Sequence, residues 1–303
     1  MKPAAPPFRL LASVSDFTEH FGFPAPVHPL LTVIDLAQHR HPPVVGPALR
    51  QLYIIALKKN LQGRIQYGHR AYDFNEGVLA FYAPGQLCEN NESVDVSELS
   101  GWMLVFHPDL LHKYPLGRKI GGYGFFSYQV HEALHLSARE EQLLEGLVHT
   151  MRAEHEQPID TFSQDVLVAQ LDVLLSYANR FYHRQFLTRR TAEHDLLTRF
   201  EELLQGYFRQ EKEQPLPTVQ HFADALHVSP AYLSDMLRTL TGQNTQQHIH
   251  QALIEKAKLL LLGTSLSINE TAYQLGFEYP QYFTRLFKSK TGFTPAAFRL
   301  SAQ

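Results

Sequence analysis

Near the C-terminus, Gln281, Thr284, Arg285 and Lys288 share one side of a short run that opens at Pro280 and closes at Gly292. Their chemistry suits reading base edges and phosphates. A guanidinium donates two parallel hydrogen bonds to guanine, a carboxamide pairs with adenine, and an ammonium meets a phosphate oxygen as a point charge. An earlier run, Pro230 to Gly242, aligns with the first without a gap: Tyr232 matches Tyr282, Leu233 matches Phe283, Leu237 matches Phe287 and Arg238 matches Lys288. Its polar side carries Ala231, Ser234, Asp235 and Arg238. With Ser229 and Tyr279 at the two starts, these residues are the candidate DNA contacts.

Such side chains need a rigid support. Leu233, Met236, Leu237 and Leu240 form one helical stripe, and Phe283, Leu286 and Phe287 form another, predicting helices over about 230–240 and 280–290. Proline suits the first helical turn because it has no N–H to leave unpaired. A further helical pattern precedes each: Val219, Phe222, Ala223 and Leu226, then Ile268, Ala272 and Leu275. Helix, tight turn, helix therefore occurs twice, and internal repetition organises the architecture. A helix held by one stripe, with its N-terminal polar side free, fits a major groove. A plain helical bundle with solvated polar faces explains one such pattern better than it explains two in tandem. Asp235 accepts from cytosine but repels phosphate, so the first helix is expected to read weakly or selectively.

Ile268-Asn-Glu-Thr-Ala-Tyr-Gln-Leu-Gly-Phe277, Tyr282-Phe-Thr-Arg-Leu-Phe-Lys288 and Gly292-Phe-Thr-Pro-Ala-Ala-Phe-Arg299 resemble the signature of AraC/XylS-type transcription regulators. A helical stretch between the repeats, with Ile254, Ala257 and Leu259 to Leu262 before Thr264, is similar as well. The resemblance covers the C-terminal third. It implies two helix-turn-helix subdomains joined by that helix, with recognition helices entering successive major grooves. Thr271, where an apolar residue is usual, and Asp235 depart from the pattern.

At 303 residues, 44% hydrophobic and 19% charged, the chain has room for two domains with real cores. A formal charge of −3 argues against a protein that coats nucleic acid indiscriminately. From Val228 onward, however, seven cations (Arg238, Lys256, Lys258, Arg285, Lys288, Lys290, Arg299) face four anions (Asp235, Glu255, Glu270, Glu278), a net +3. The single Cys88 supports neither a disulfide framework nor a cysteine zinc site. Residues 1–23 carry prolines, Asp16 and Glu19 instead of the apolar core of a signal peptide, and no stretch approaches the ~20 apolar residues of a membrane span. A cytoplasmic protein is expected.

Residues 1 to about 136 read as β-rich, with strand-like runs Leu52–Leu57, Arg64–Tyr67, Val78–Ala83, Trp102–Phe106 and Phe125–Tyr128. Such spacing predicts a sandwich or jelly-roll barrel. The order of strands, helices and tandem reader is similar to AraC-type regulators with a cupin-like sensor. Gly101 to Leu111, Gly124 to Tyr128 and Glu132 to Leu136 resemble one subgroup of them, which implies the fold but no effector. The expected fold class is therefore α+β: a cupin-like β-barrel or jelly roll over 1–136, a helical dimerisation segment and linker over 137–190, and an all-α domain with two helix-turn-helix motifs over 191–303.

Tyr53, Tyr82, Trp102 and Phe106 could line a pocket for a small organic ligand or could be barrel core. His39-Arg-His41 has metal-ligand spacing, but Pro42 to Pro47 follows where a cupin enzyme supplies its glutamate, and His69 and His107 lie apart. No metal, cofactor or catalytic residue is assigned. From Ser137 the period becomes helical. Ser137-Ala-Arg-Glu140 is a capping box, followed by Leu143, Leu144, Leu147, Val148 and Met151 on one face. A second helix over about 161–182 turns Val166, Leu167, Leu171, Leu174, Leu175 and Ala178 one way. This stripe could pack on its own domain; the architecture's relatives imply pairing with a second copy. Phe181 to Arg190 breaks the stripe and reads as a connection, with another helix over about 193–208.

Three classes compete: a ligand-responsive regulator, a cupin enzyme with a DNA-binding appendage, and an architectural DNA-binding protein. The enzyme lacks a metal quartet, nucleophile elbow or phosphate loop, and the reader faces carry Gln and Arg instead of a lysine carpet. The regulator is preferred. Its expected partners are double-stranded DNA, a second copy, a small-molecule effector and, if it activates, RNA polymerase, with no membrane.

Overall fold

The computed structural model describes residues 8–39, 46–59, 77–90, 99–129, 132–158, 160–188, 190–209 and 215–301. The strand-like run at 64–67, His41 and His69 lie outside them. The chain divides into two compact units, Met1–Gln185 and Phe186–Gln303.

The first unit holds two sheets. Strands β1 (Arg9–Leu11), β3 (Gly46–Arg50) and β6 (Gln86–Asn90) form one, in the order β1-β3-β6. The other has five strands in the order β2-β7-β4-β5-β8, from β2 (Leu31–Asp35), β4 (Tyr53–Lys59), β5 (Val78–Tyr82), β7 (Ser100–Phe106) and β8 (Leu134–His135). Strand side chains alternate between faces. Leu11 and Ala48 of the small sheet share one core with Ile34, Ile54 and Val105 of the large one. Helix α1 (Val14–Phe21), closed by a capping box from Ser13, seals this core with Val14 and Phe17.

The opposite face of the large sheet is also buried, through Ile55, Leu57, Leu79, Phe81, Leu104 and Phe106. Its cover includes a 3₁₀ turn over Gly124–Ser127, where a strand was expected. Phe125 and Phe126 are both buried. Adjacent inward side chains suit a tight helical turn and break strand alternation. A short helix α2 (Pro115–Lys119) precedes this turn, and α3 (Ala138–His155) opens on the capping box at Ser137 and Glu140 and packs on β2. Helix α4 (Ser163–Thr188) brings Tyr182 onto the same sheet face, stacked 5.3 Å from Phe125.

The predicted break after Phe181 does not occur. Phe181, Tyr182 and Gln185 remain buried at helical spacings, and α4 runs on to Thr188. The Gln185 carboxamide accepts from the His135 N–H at 2.9 Å, and Arg184 pairs with Glu140 at 2.8 Å, which ties this end of α4 to β8 and α3.

The second unit is all-helical: α5 (Arg190–Arg209), α6 (Val219–Leu226), α7 (Pro230–Thr241), α8 (Thr245–Gly263), α9 (Ile268–Gln274), α10 (Pro280–Thr291) and α11 (Pro295–Ser301). The division at 185 and 186 leaves α3 and most of α4 with the sheets.

Candidate nucleic-acid interface

The two repeats fold as two helix-turn-helix pairs, α6 with α7 and α9 with α10, joined by α8. Phe283 and Phe287 anchor α10, fully buried among Leu253, Ile254, Ala257 and Leu261 of α8 and Ala272 and Leu275 of α9. Leu233, Met236 and Leu237 are buried likewise from α7. Both second helices end at a glycine in the left-handed region, Gly242 at φ 79° and Gly292 at φ 81°, whose N–H returns to the carbonyl of Arg238 or Lys288. Only glycine takes that conformation without strain. The repeat therefore extends from sequence to the stop signals of the helices.

The turns differ by one residue. In the first, His227 at φ 57° is the left-handed residue and two residues separate it from Pro230; in the second, three residues separate Gly276, at φ 89°, from Pro280. Ala223 therefore corresponds to Ala272, and Phe222 to the unexpected Thr271. Thr271 is fully buried, and its hydroxyl donates to the Ser267 carbonyl at 2.9 Å. A hydroxyl satisfied by its own helix can enter an apolar core.

The faces turned to solvent are unequal. On α10, Gln281, Arg285 and Lys288 are exposed and Thr284 is half-buried. Tyr279 and Tyr282 are exposed beside them, and the Arg285 guanidinium lies 5.3 Å from the Tyr282 ring centroid. On α7, Arg238 is exposed while Ala231, Ser234 and Asp235 are half-buried. Arg238 pairs with Asp235 at 2.8 Å, so much of the expected repulsion is neutralised within the helix. The Ser234 hydroxyl lies 3.0 Å from that of Thr245 in α8. Ser229 is buried and accepts from the Tyr232 N–H at 3.2 Å as the helix cap. Its place in the candidate contact set is corrected: it shapes the start of α7. A cap was legible in Ser229-Pro230, since serine before proline opens many helices.

Three further residues bear on the charge this unit can present. The Arg299 Nε donates to the Leu261 carbonyl at 2.9 Å, spending part of that guanidinium on the end of α8. Burial pushes the His248 and His250 imidazoles below their usual range, with Lys290 adding to the effect on His250, so both are neutral at pH 7.

A model described as a helix-turn-helix domain matches residues 222–301. The C-terminal third is a helix-turn-helix domain of the AraC type. Among relatives, the chain is 29% identical over 158 residues to the uncharacterized HTH-type transcriptional regulator YfiF of Bacillus subtilis, covering 50% of this chain and 48% of that one. It is 26% identical over 190 residues to the uncharacterized HTH-type transcriptional regulator YijO of Escherichia coli, covering 63% of this chain and 64% of that one. The matches thus span about half to two thirds of these curated relatives. Among solved structures, the C-terminal domain of the two-component response regulator yesN from Fusobacterium nucleatum is 36% identical, over 33% of this chain and 96% of that one, at a TM-score of 0.30. The AraC-type domain begins well after the sheets, so its match says nothing of the first unit.

In that first unit the four expected pocket residues do not all lie on one side of the large sheet. Tyr82 packs against the core between the two sheets. Tyr53 stacks on Phe106 at 5.2 Å and meets Phe126 edge-on, on the other side of the large sheet. Trp102, which pairs with Leu57 in register, is buried on that side too. Strand alternation separates residues that look clustered in sequence. His39 is described without its partner His41, and no cluster of three or more metal-type ligands occurs among the described residues.

The expected dimer stripe is corrected as well. Leu167, Leu171, Leu174 and Leu175 are buried in their own unit, and of the expected set only Val166 is exposed. Bonds on both flanks fix this orientation: Tyr114 donates to Asp165 at 2.5 Å and Lys119 pairs with Asp172 at 2.7 Å. A different line faces outward, from Phe162 just before α4 along the helix, with Phe162 68%, Val166 38% and Val173 44% exposed and Ala169 between them.

Proposed function

We propose that the protein is a sequence-specific transcription regulator whose AraC-type domain reads two successive stretches of major groove. The exposed face of α10 carries this reading: Gln281, Arg285 and Lys288 are exposed on a helix locked from behind by Phe283 and Phe287. A rigid helix that presents a guanine reader, an adenine reader and a phosphate contact has the parts for direct readout. The first helix contributes less, because Asp235 engages Arg238 and Ser234 engages Thr245. The site is therefore asymmetric: a sharp half under α10 and a looser half about one helical turn away under α7.

The two-sheet unit is the effector-responsive part, with a cupin-like arrangement of its strands. Two copies pair through the outer line of α4. Phe162, Val166, Ala169 and Val173 recur at intervals of four, three and four, which keeps one seam facing a partner helix. A small-molecule effector and, in activation, RNA polymerase complete the partners. The protein is read as a cytoplasmic regulator without catalytic activity; no helix among the described residues is long and apolar enough to cross a membrane.

Selection of bound fragments from random DNA tests the reading. The expected result is one enriched motif with its sharper half under α10, assigned by repeating the selection with Arg285→Ala and Arg238→Ala. Recovery of unenriched DNA, or a sharper half that responds to Arg238, would overturn it.

A further inference from the structure

The two repeats are built alike behind α7 and α10 and differently in front. Ser229, the residue before the first helix, is buried and its side chain accepts from the Tyr232 N–H. At the matching place Tyr279 makes no side-chain cap, and the Tyr282 N–H donates to the Tyr279 carbonyl at 3.0 Å instead. Tyr232 is 7% exposed and meets Phe186 edge-on at 5.2 Å, whereas its counterpart Tyr282 is 49% exposed. Tyr279 is 55% exposed, and its ring meets that of Tyr282 edge-on, with centroids 5.8 Å apart and planes at 89°. The Arg285 guanidinium lies over the other end of this line, against the Tyr282 ring.

Neither departure helps the fold. A serine, threonine, asparagine or aspartate is favoured before a helix because its oxygen takes up a free N–H of the first turn, and an aromatic ring carries none within that reach. An aromatic side chain stabilises through the area it removes from water, and half of Tyr282 stays wet. Single exposed apolar side chains are ordinary, but two in mutual contact beside a base reader make a patch. Positions 279, 282 and 285 recur every three residues, so both rings and the guanidinium follow one side of the start of α10. The start of a recognition helix is the part that meets base edges.

The major groove offers an apolar partner in the C5-methyl of thymine. We propose that Tyr282, braced by Tyr279, is a specificity residue of the second reader: its ring covers the C5-methyl of a thymine on the base step beside the guanine that Arg285 pairs with. The inference rests on the reading of α10 as a groove-facing helix given above. Ring and guanidinium are 5.3 Å apart, and bases follow one another at about 3.4 Å along a strand, so the two side chains reach neighbouring steps. The first reader lacks the patch, because Tyr232 is buried, so no thymine methyl is read by Tyr232.

The test uses the full chain and the selected duplex, with uracil placed at each thymine in turn. Uracil keeps the pairing and the groove acceptor and removes only the methyl. Binding by fluorescence anisotropy should weaken about 3- to 5-fold for one uracil, the worth of burying about one methyl, and that position should adjoin the guanine whose preference is lost in Arg285→Ala. Tyr282→Phe should keep the dependence, and Tyr282→Ser should bind thymine and uracil duplexes alike. Tyr279→Ser should reduce the dependence while melting no lower than wild type, since it supplies the missing cap. The proposal is overturned by a selected site with no thymine beside that guanine, by uracil tolerated there, or by a dependence that survives in Tyr282→Ser. Equal losses for Tyr282→Phe and Tyr282→Ser would also overturn it, by assigning the hydroxyl to a phosphate. Selection that enriches no motif removes the readout by α10 itself; a motif whose guanine needs Arg285 but whose thymines all tolerate uracil removes this inference alone.

Discussion

Truncating Arg285 to alanine isolates one base contact. The side chain is exposed on α10, and no buried residue depends on it, because the helix is held by Phe283 and Phe287. Its guanidinium lies 5.3 Å from the Tyr282 ring centroid, an exposed cation–π pair worth about 0.5–1 kcal/mol. The fold should therefore lose less than about 1 kcal/mol, a Tm change of a few degrees for a unit of this size. Loss of a bidentate guanine contact costs about 1–3 kcal/mol, or about 5- to 150-fold in Kd on the selected site, with relaxed preference at one or two base pairs. Tyr282→Leu keeps the guanidinium and removes only the ring that orients it, so a smaller loss of about 2- to 5-fold is expected. Lys288→Ala should weaken all sequences alike and lower the salt slope by about 1. The assay is fluorescence anisotropy on the selected site and on a scrambled duplex, across salt concentrations. Equal losses on both duplexes for Arg285→Ala would refute its role as a base reader.

Asp235→Asn should release Arg238 from its 2.8 Å pair and tighten binding to every sequence with preference unchanged; loss of preference at a single base pair, read by repeating the selection, would make Asp235 a cytosine reader instead. Leu171→Ala, at a fully buried position, should cost about 2–5 kcal/mol in chemical denaturation. Val173→Lys, on the outer line of α4, should leave the fold intact and give a monomer in sedimentation; a wild type that is already monomeric at micromolar concentration would remove the dimer. Burial holds the His155 imidazole below the usual histidine range, and His28 is lowered in the same way with His155 adding to it. The folded state then binds fewer protons than the unfolded one, so stability from these groups is present above pH 6.5 and falls as pH drops through the lower folded values. Melting of wild type between pH 7 and pH 5 should show that loss, and His155→Gln should flatten it; identical slopes would exclude His155 as its source.

Local signals carried much of the second unit. The period of Leu233, Met236 and Leu237 against Phe283 and Phe287, the prolines at each helix start and Gly242 and Gly292 at each end all act within one or two turns of chain, so two matching helix-turn-helix pairs follow from composition and spacing alone. The capping box at Ser137 and Glu140 is legible for the same reason. Other features depend on residues distant in sequence. Whether Leu171 or Val173 faces the core of its own unit was undecidable from a helix with apolar residues on both sides; the sheet face under α4, together with Asp165, Asp172 and Arg184, decides it. Tyr53 and Tyr82 look like one aromatic cluster until strand alternation assigns them to opposite sides of the large sheet. Arg238 carried a plain positive charge in the sequence, and its pairing with Asp235 is a choice of rotamer. The burial of Arg50 has no local sign in the sequence, because it arises only when a second sheet closes over β3, and a strand has no means of announcing locally which of its faces another sheet will cover.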